Sequence, residues 1–254
     1  HRGPDQTDFW CEENISLGSY TLIKTGFFKN LRMLISAESG QIINNAQDFS
    51  VNYGRNGRFV IEATVLGVSA HAARSDLATN AITQTARLLT SLHQISLPEH
   101  IRLGRTEIIP YFMESHADSF SIPNHSMVRF NIITVPGVTS PVVISELKKL
   151  CRSLKIRSHF SVMKRLTPYM EAYEIDRNNK HIQQLESLVF SHFTILPDYA
   201  RSVADENRFA HSLNIPVISV GPIGGNDHTA NEWVSLSSMQ KTFEGYKQII
   251  DVFS

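Results

Sequence analysis

The chain has 254 residues with 24 Lys+Arg against 24 Asp+Glu, 42% hydrophobic and 19% charged residues; this is a folded composition, long enough for one large domain or two small ones. Two cysteines exclude a disulfide scaffold, and zero net charge excludes the basic footprint of a general nucleic-acid binder. No run nears the ~18 apolar residues of a membrane span, and the opening HRGPDQTDFW has no signal-peptide core, so the expectation is a cytoplasmic protein with neither nucleic acid nor membrane as partner.

Glu12-Glu13 stands just before a predicted helix, ISLGSYTLIKTGFF. Neighbours in an extended segment point apart, so such a pair can place one carboxylate on a metal and the other on metal-bound water. Acids before a helix are equally accounted for by its dipole. Glu38, in LISAESG, follows an apolar run. A carboxylate leaving the C-terminal end of a buried strand stands where α/β sheets place ligands, although an ordinary loop acid fits the same position.

Residues 57–165 carry 13 Lys+Arg against 7 Asp+Glu, a balance of +6, and the flanks together carry −6. That asymmetry marks the middle third as a separate unit. Within it, GRFVIEATVLGV (57–68) alternates as a strand, and Ser75-Asp76 offers an N-cap to a helix bearing Ile82, Ala86 and Leu89. LGRTEIIPYFM (103–113) and MVRFNIITV (127–135) predict two more strands, ISELKKLCRSL (144–154) a helix, and IRSHFSVM (156–163) a last strand. The order β-α-β-β-α-β is that of a ferredoxin-like sandwich.

Beyond it, NKHIQQLESLVFSHF (179–193) and DENRFAHSL (205–213) predict helices, and IPVISVG (215–221) reads as a strand of the kind buried in a parallel sheet. SLSSMQKTFEGYKQIIDVF (235–253) predicts a closing helix with Met239, Phe243, Tyr246, Ile249 and Ile250 as its core face. The flanks, 1–56 and 166–254, thus form one α/β unit. Between strand and closing helix lies GPIGGNDHTANEWVSL (221–236), a glycine-rich loop carrying Asp227, His228, Asn231 and Glu232. A strand-end loop can present an imidazole to zinc; a solvated histidine beside a helix cap is the plainer alternative. His71, in GVSAHAARSDLATNAI, ends the first strand of the middle unit.

In this order these pieces resemble the dinuclear-metal amidohydrolases and exopeptidases that include acetylornithine deacetylase, succinyl-diaminopimelate desuccinylase, aminoacylase and carboxypeptidase G. The resemblance runs over nearly the whole chain, and GVSAHAARSDLATNAI and GPIGGNDHTANEWV are its specific parts. It implies a metallopeptidase-like α/β catalytic domain with an inserted ferredoxin-like lid that also dimerises. It further implies Glu12 as general base, Glu13 with His228 as ligands of one metal and Glu38 as a ligand of a second. His71 becomes the lid histidine that stabilises the oxyanion in a partner's site, and Asn124, in SIPNHSM, and Gly224 contact substrate. The metal is expected to be zinc, with manganese or cobalt as alternatives, and two ions in a complete protein.

The expected activity is metal-dependent hydrolysis of the amide of an N-acyl amino acid or small peptide by a homodimer. A catalytically inactive dimerising or ligand-binding protein on the same scaffold is the alternative. Two departures bear on the choice. The family's early His-x-Asp has no counterpart, so the catalytic domain is expected to lack its N-terminal part. Ile133 stands where an arginine often contacts the substrate carboxylate, although Arg129 lies on the same strand.

Overall fold

The computed structural model describes residues 18–38, 40–41, 47–227 and 229–253, and its chain divides into two compact units. In chain order the elements are α1 (18–25), β1 (Leu34–Ala37), β2 (Gly40–Gln41), β3 (Phe49–Arg55), β4 (Gly57–Leu66), α2 (Ala81–Thr90), β5 (Glu99–His100), β6 (Gly104–Arg105), β7 (Glu107–Glu114) and β8 (His125–Thr134). Then come α3 (Ser140–Ser153), β9 (Arg157–Val162), β10 (Tyr173–Glu174), α4 (Lys180–Leu188), β11 (Ile195–Ala200), α5 (Asp205–Leu213), β12 (Val217–Gly221), β13 (Ile223–Gly225), β14 (Trp233–Val234) and α6 (Leu236–Phe253).

The second unit, Gly57–Glu171, is continuous in sequence and ends six residues past the boundary expected at 165. Its sheet runs β7-β8-β4-β9 with every neighbouring pair antiparallel, and α2 and α3 connect it in β-α-β-β-α-β order. Alternation carries the design: along β4 Phe59, Ile61, Ala63 and Val65 are buried, and along β8 Val128, Phe130 and Ile132 answer them. Leu88 of α2 and Val143 and Leu147 of α3 are fully buried on the helices. Ser75-Asp76 does not cap α2. Those residues lie in a 3₁₀ segment, Ala72–Leu77, and the cap is Asn80, whose Oδ1 accepts from the backbone N–H groups of Ile82 (2.9 Å) and Thr83 (3.3 Å). Asp76 instead chelates the Arg74 guanidinium.

The first unit joins the described residues before Gly57 to those from Ala172 on. Its sheet is mixed: β1 runs parallel to β12, β12 antiparallel to β3, and β3 takes β11 in parallel and β10 antiparallel. The expected parallel surroundings of 215–221 hold on one side of β12 only. One face packs a core of Phe49, Val51, Tyr53, Ile218 and Val220 against Ile182 and Leu185 of α4, Val189 just after it and Ile249 of α6. On α6 the structure turns the expected core face: Ser238, Thr242, Gly245 and Ile249 are buried, while Met239, Phe243 and Ile250 are exposed. The reason is close approach. A Cβ on Gly245 would stand 3.1 Å from the Phe49 ring, so this helix lies on the sheet through its small residues.

Candidate functional site

The register of the first unit brings two candidate segments to one end of its sheet. Ala37 pairs with Val220 at the C-terminal ends of the parallel strands β1 and β12, so Glu38 leaves the sheet beside Gly221 and Pro222. Gly40 then donates its N–H to the Pro222 carbonyl (3.0 Å), and β2 continues in parallel with β13, Ile223 opposite Gly40. Glu38, exposed, and half-buried Asp227 therefore hang from neighbouring strand ends, the position at which an open α/β sheet offers a crevice.

Packing makes the glycines here necessary. A Cβ on Gly40 would fall 2.1 Å from Ser50 Oγ, and one on Gly224 2.8 Å from the Trp233 carbonyl oxygen. Gly224 is thus buried in the short ladder β13–β14, where it pairs with Val234. The loop after it is set by Asn226, in the left-handed region at φ 61°, whose carbonyl accepts from both the N–H and the hydroxyl of Thr229. Glu12, Glu13 and His228 lie outside the described residues. Among the described residues no three His, Cys, Asp or Glu side chains gather as a metal site. Glu38 and Asp227 are oxygen donors suited in type to a divalent ion.

Behind these strand ends lies a buried polar network that sequence reading missed. Glu206 of α5, 2% exposed, accepts from Ser36 Oγ of β1 (2.5 Å) and Ser219 Oγ of β12 (3.1 Å), and faces Arg55 Nε at 3.6 Å. Arg55 also donates to Ser202 Oγ (3.2 Å) and Ser219 Oγ (3.4 Å). Asp205 accepts from Ser19 Oγ (2.7 Å), and its burial pushes its carboxyl above the usual range. The signal available was the adjacent acids of DENRF before an apolar strand, which read as an ordinary helix start.

In the second unit, His71 and Asn124 sit at one end of the sheet. His71 bridges Ser121 beyond β4, and the Asn124 carbonyl accepts from Gly67 N–H (2.7 Å). Both side chains are exposed. His71 Nδ1 accepts from Ala73 N–H (3.1 Å), which fixes the tautomer with its proton on Nε2, and the ring stacks on Phe120 at 6.4 Å. An outward Nε2–H is a donor ready for an anion. Asn124 Oδ1 is held by His125 Nδ1 at 3.0 Å. Ile133 lies in β8 and pairs with Arg58, while Arg129 is held by Glu62 at 3.1 Å.

The M20 model described as a peptidase dimerisation domain matches residues 53–159. Succinyl-diaminopimelate desuccinylase of Pelagibacter ubique (strain HTCC1062) is 24% identical over 206 residues, 79% of this chain and 52% of that protein. Aminopeptidase PepT from Bacillus cereus ATCC 10987 superposes with a TM-score of 0.72 at 14% identity, covering 95% of this chain and 62% of that one. The di-peptidase Dug1p from Saccharomyces cerevisiae does so with 0.60 at 16% identity, covering 91% and 62%. The chain thus spans about half the length of that desuccinylase. No helix among the described residues is long and apolar enough to cross a membrane.

Proposed function

Because the chain carries the M20 peptidase dimerisation domain and is a homologue of the M20 peptidases and amidohydrolases, we propose that it is the cytoplasmic, metal-dependent hydrolase of an N-acyl amino acid or small peptide, acting as a homodimer. The observation that carries this reading is the register that sets Glu38 beside the β12–β13 strand end leading to Asp227 and residue 228. The flanks, 1–56 and 166–254, are the catalytic part and 57–165 the dimerising part. Glu13, Glu38 and His228 are the side chains that hold metal, zinc before manganese or cobalt, two ions being expected of a complete protein. Bound there, such ions supply Lewis acidity that acidifies water and polarises an amide carbonyl.

The chain's own residues do the rest. Glu12 takes the proton of the attacking water and delivers it to the leaving amine. His71, with Nδ1 engaged by Ala73, offers Nε2–H to the oxyanion formed in the partner's site. Asn124 and the backbone around Gly224 hold the substrate.

The test uses the full-length protein supplied with zinc, manganese or cobalt and a panel of N-acyl amino acids and dipeptides. Turnover is expected, lost by at least ~10³-fold in Glu12→Gln and by ~10²–10³-fold in His71→Ala with little change in KM. Turnover unchanged in Glu12→Gln removes that residue as base. A metal-free protein without turnover, folded as judged by circular dichroism, removes the hydrolase reading.

A further inference from the structure

Trp233 is 39% exposed although it begins a strand of the candidate site. Its seat is specific. Trp233 pairs with Gly225 in the β13–β14 ladder, and a Cβ on Gly225 would stand 2.9 Å from the indole Nε1, 3.2 Å from Cε2 and 3.3 Å from Cζ2. The indole therefore lies across Gly225, in the space that any side chain there would fill. Gly225 is outside the left-handed region, so this glycine provides room and not a turn. Ile223, two residues earlier and on the same face of β13, is buried. The ring thus carries an apolar face from the core out to the end of the strand.

That end is the neck of the loop bearing Asp227 and residue 228, which leaves from Gly225 and returns at Trp233. Asn226 Nδ2 donates across the neck to the Asn231 carbonyl (3.2 Å), and both asparagines are left-handed, at φ 61° and 65°. On its other flank β13 pairs with β2, the strand that follows Glu38. The indole is therefore held beside the strand ends from which both candidate segments emerge. Among the described residues its Nε1–H has no hydrogen-bond partner. A ring that served only to close the core would hide its faces and pair its N–H.

We propose that Trp233 is the platform on which the substrate lays an apolar side chain, so that the site favours N-acyl amino acids and dipeptides with an aromatic or large aliphatic side chain over glycine derivatives. The proposal rests on the hydrolase reading for the reaction and adds how the substrate is selected. A flat indole with two side-chain torsions offers apolar contact at little entropic cost. Its face and edge accept an aromatic ring offset or edge-on, and its N–H can meet a substrate oxygen. Gly225 belongs to the device, because a methyl group there displaces the ring. Trp233 acts on affinity for the side chain and not on the reacting atoms.

The test assays the full-length protein, supplied with metal, on N-acetyl-L-phenylalanine and N-acetylglycine, and reads indole emission on mixing, before turnover. The parent should prefer the phenylalanine compound by at least ~10-fold in kcat/KM, the scale of an apolar side-chain contact. That compound should also produce a saturable change in emission. Trp233→Ala should bring the ratio toward unity through a rise in KM for the phenylalanine compound. Trp233→Tyr should keep most of the preference, and Gly225→Ala should weaken it with the indole still present. A parent without the preference, a preference unchanged in Trp233→Ala, or a loss shared equally by both compounds overturns the proposal, the last because the indole would then only support the loop. A protein that turns over neither compound, yet shows the emission change in the parent and not in Trp233→Phe, removes the hydrolase reading and leaves the platform standing. Absence of both turnover and emission change removes both.

Discussion

Glu206 shows what one buried side chain can hold together. Its carboxylate meets Arg55 from β3, Ser36 from β1 and Ser219 from β12, and so ties three strands to α5. Removing one member leaves a charge buried without its partner, which costs about 3–5 kcal/mol, whereas replacing both by apolar residues of similar size is often nearly neutral. Glu206→Ala should therefore lose about 3 kcal/mol or more in urea unfolding, and Arg55→Met/Glu206→Leu much less. Gly40 is a second such point. With Ser50 Cβ 2.3 Å and Oγ 2.1 Å from where its Cβ would be, Gly40→Ala should cost about 1–3 kcal/mol. Ser50→Gly should recover part of that loss, and equilibrium unfolding of the double variant checks it.

At the scale of elements, Tyr246 joins α6 to the sheet through two strand carbonyls. Tyr246→Phe should lose about 1 kcal/mol at neutral pH, the worth of a hydrogen bond. Burial pushes this hydroxyl from 10.0 up to about 12. A folded-state value above the unfolded one means the contribution is complete below pH 10 and is lost as pH rises toward 12. The stability gap between parent and Tyr246→Phe should accordingly close across that window, as thermal melts at stepped pH would record.

What the sequence disclosed follows from how each element is buried. β4 and β8 alternate buried and half-buried residues, so their pattern is visible in the letters themselves. β3 is buried at every residue, with Ser50, Asn52 and Gly54 hidden among apolar neighbours, and FSVNYGR does not read as a core strand. On α6 the apolar letters outline a convincing core face, but the contact is made by Ser238, Thr242 and Gly245 because Phe49 leaves no room for more. Glu38 was legible as a strand-end acid and His71 by its surrounding motif. The Glu206 network depends on a partner 170 residues away and could not be seen locally, whereas the tautomer of His71 is set by Ala73, two residues on, through a turn geometry that the letters do not specify.

For the whole molecule, the division at Asn56 and Glu171 separates a continuous unit from a discontinuous one. Gly57–Glu171 owns a sheet, two covering helices and a core that includes Ile61, Leu88, Phe130 and Leu147. Produced alone, it should fold, give one cooperative melt and self-associate, as a dimerisation domain would. Sedimentation of a monomer at micromolar concentration would count against the homodimer.

The pairing of β1 with β12 gives the chain a timetable. Leu34 must find Val217, and the residues between them include an entire folded unit. At 5–20 residues per second, roughly 10 s or more of synthesis separate the two strands. During that interval β3 has neither of its long neighbours, β11 and β12, to cover it. Refolding from denaturant removes this delay, since both partners are then present from the start. The nascent chain, by contrast, must keep its first strands from aggregating until its last third emerges, so its yield in a cell should respond to translation speed and chaperone supply.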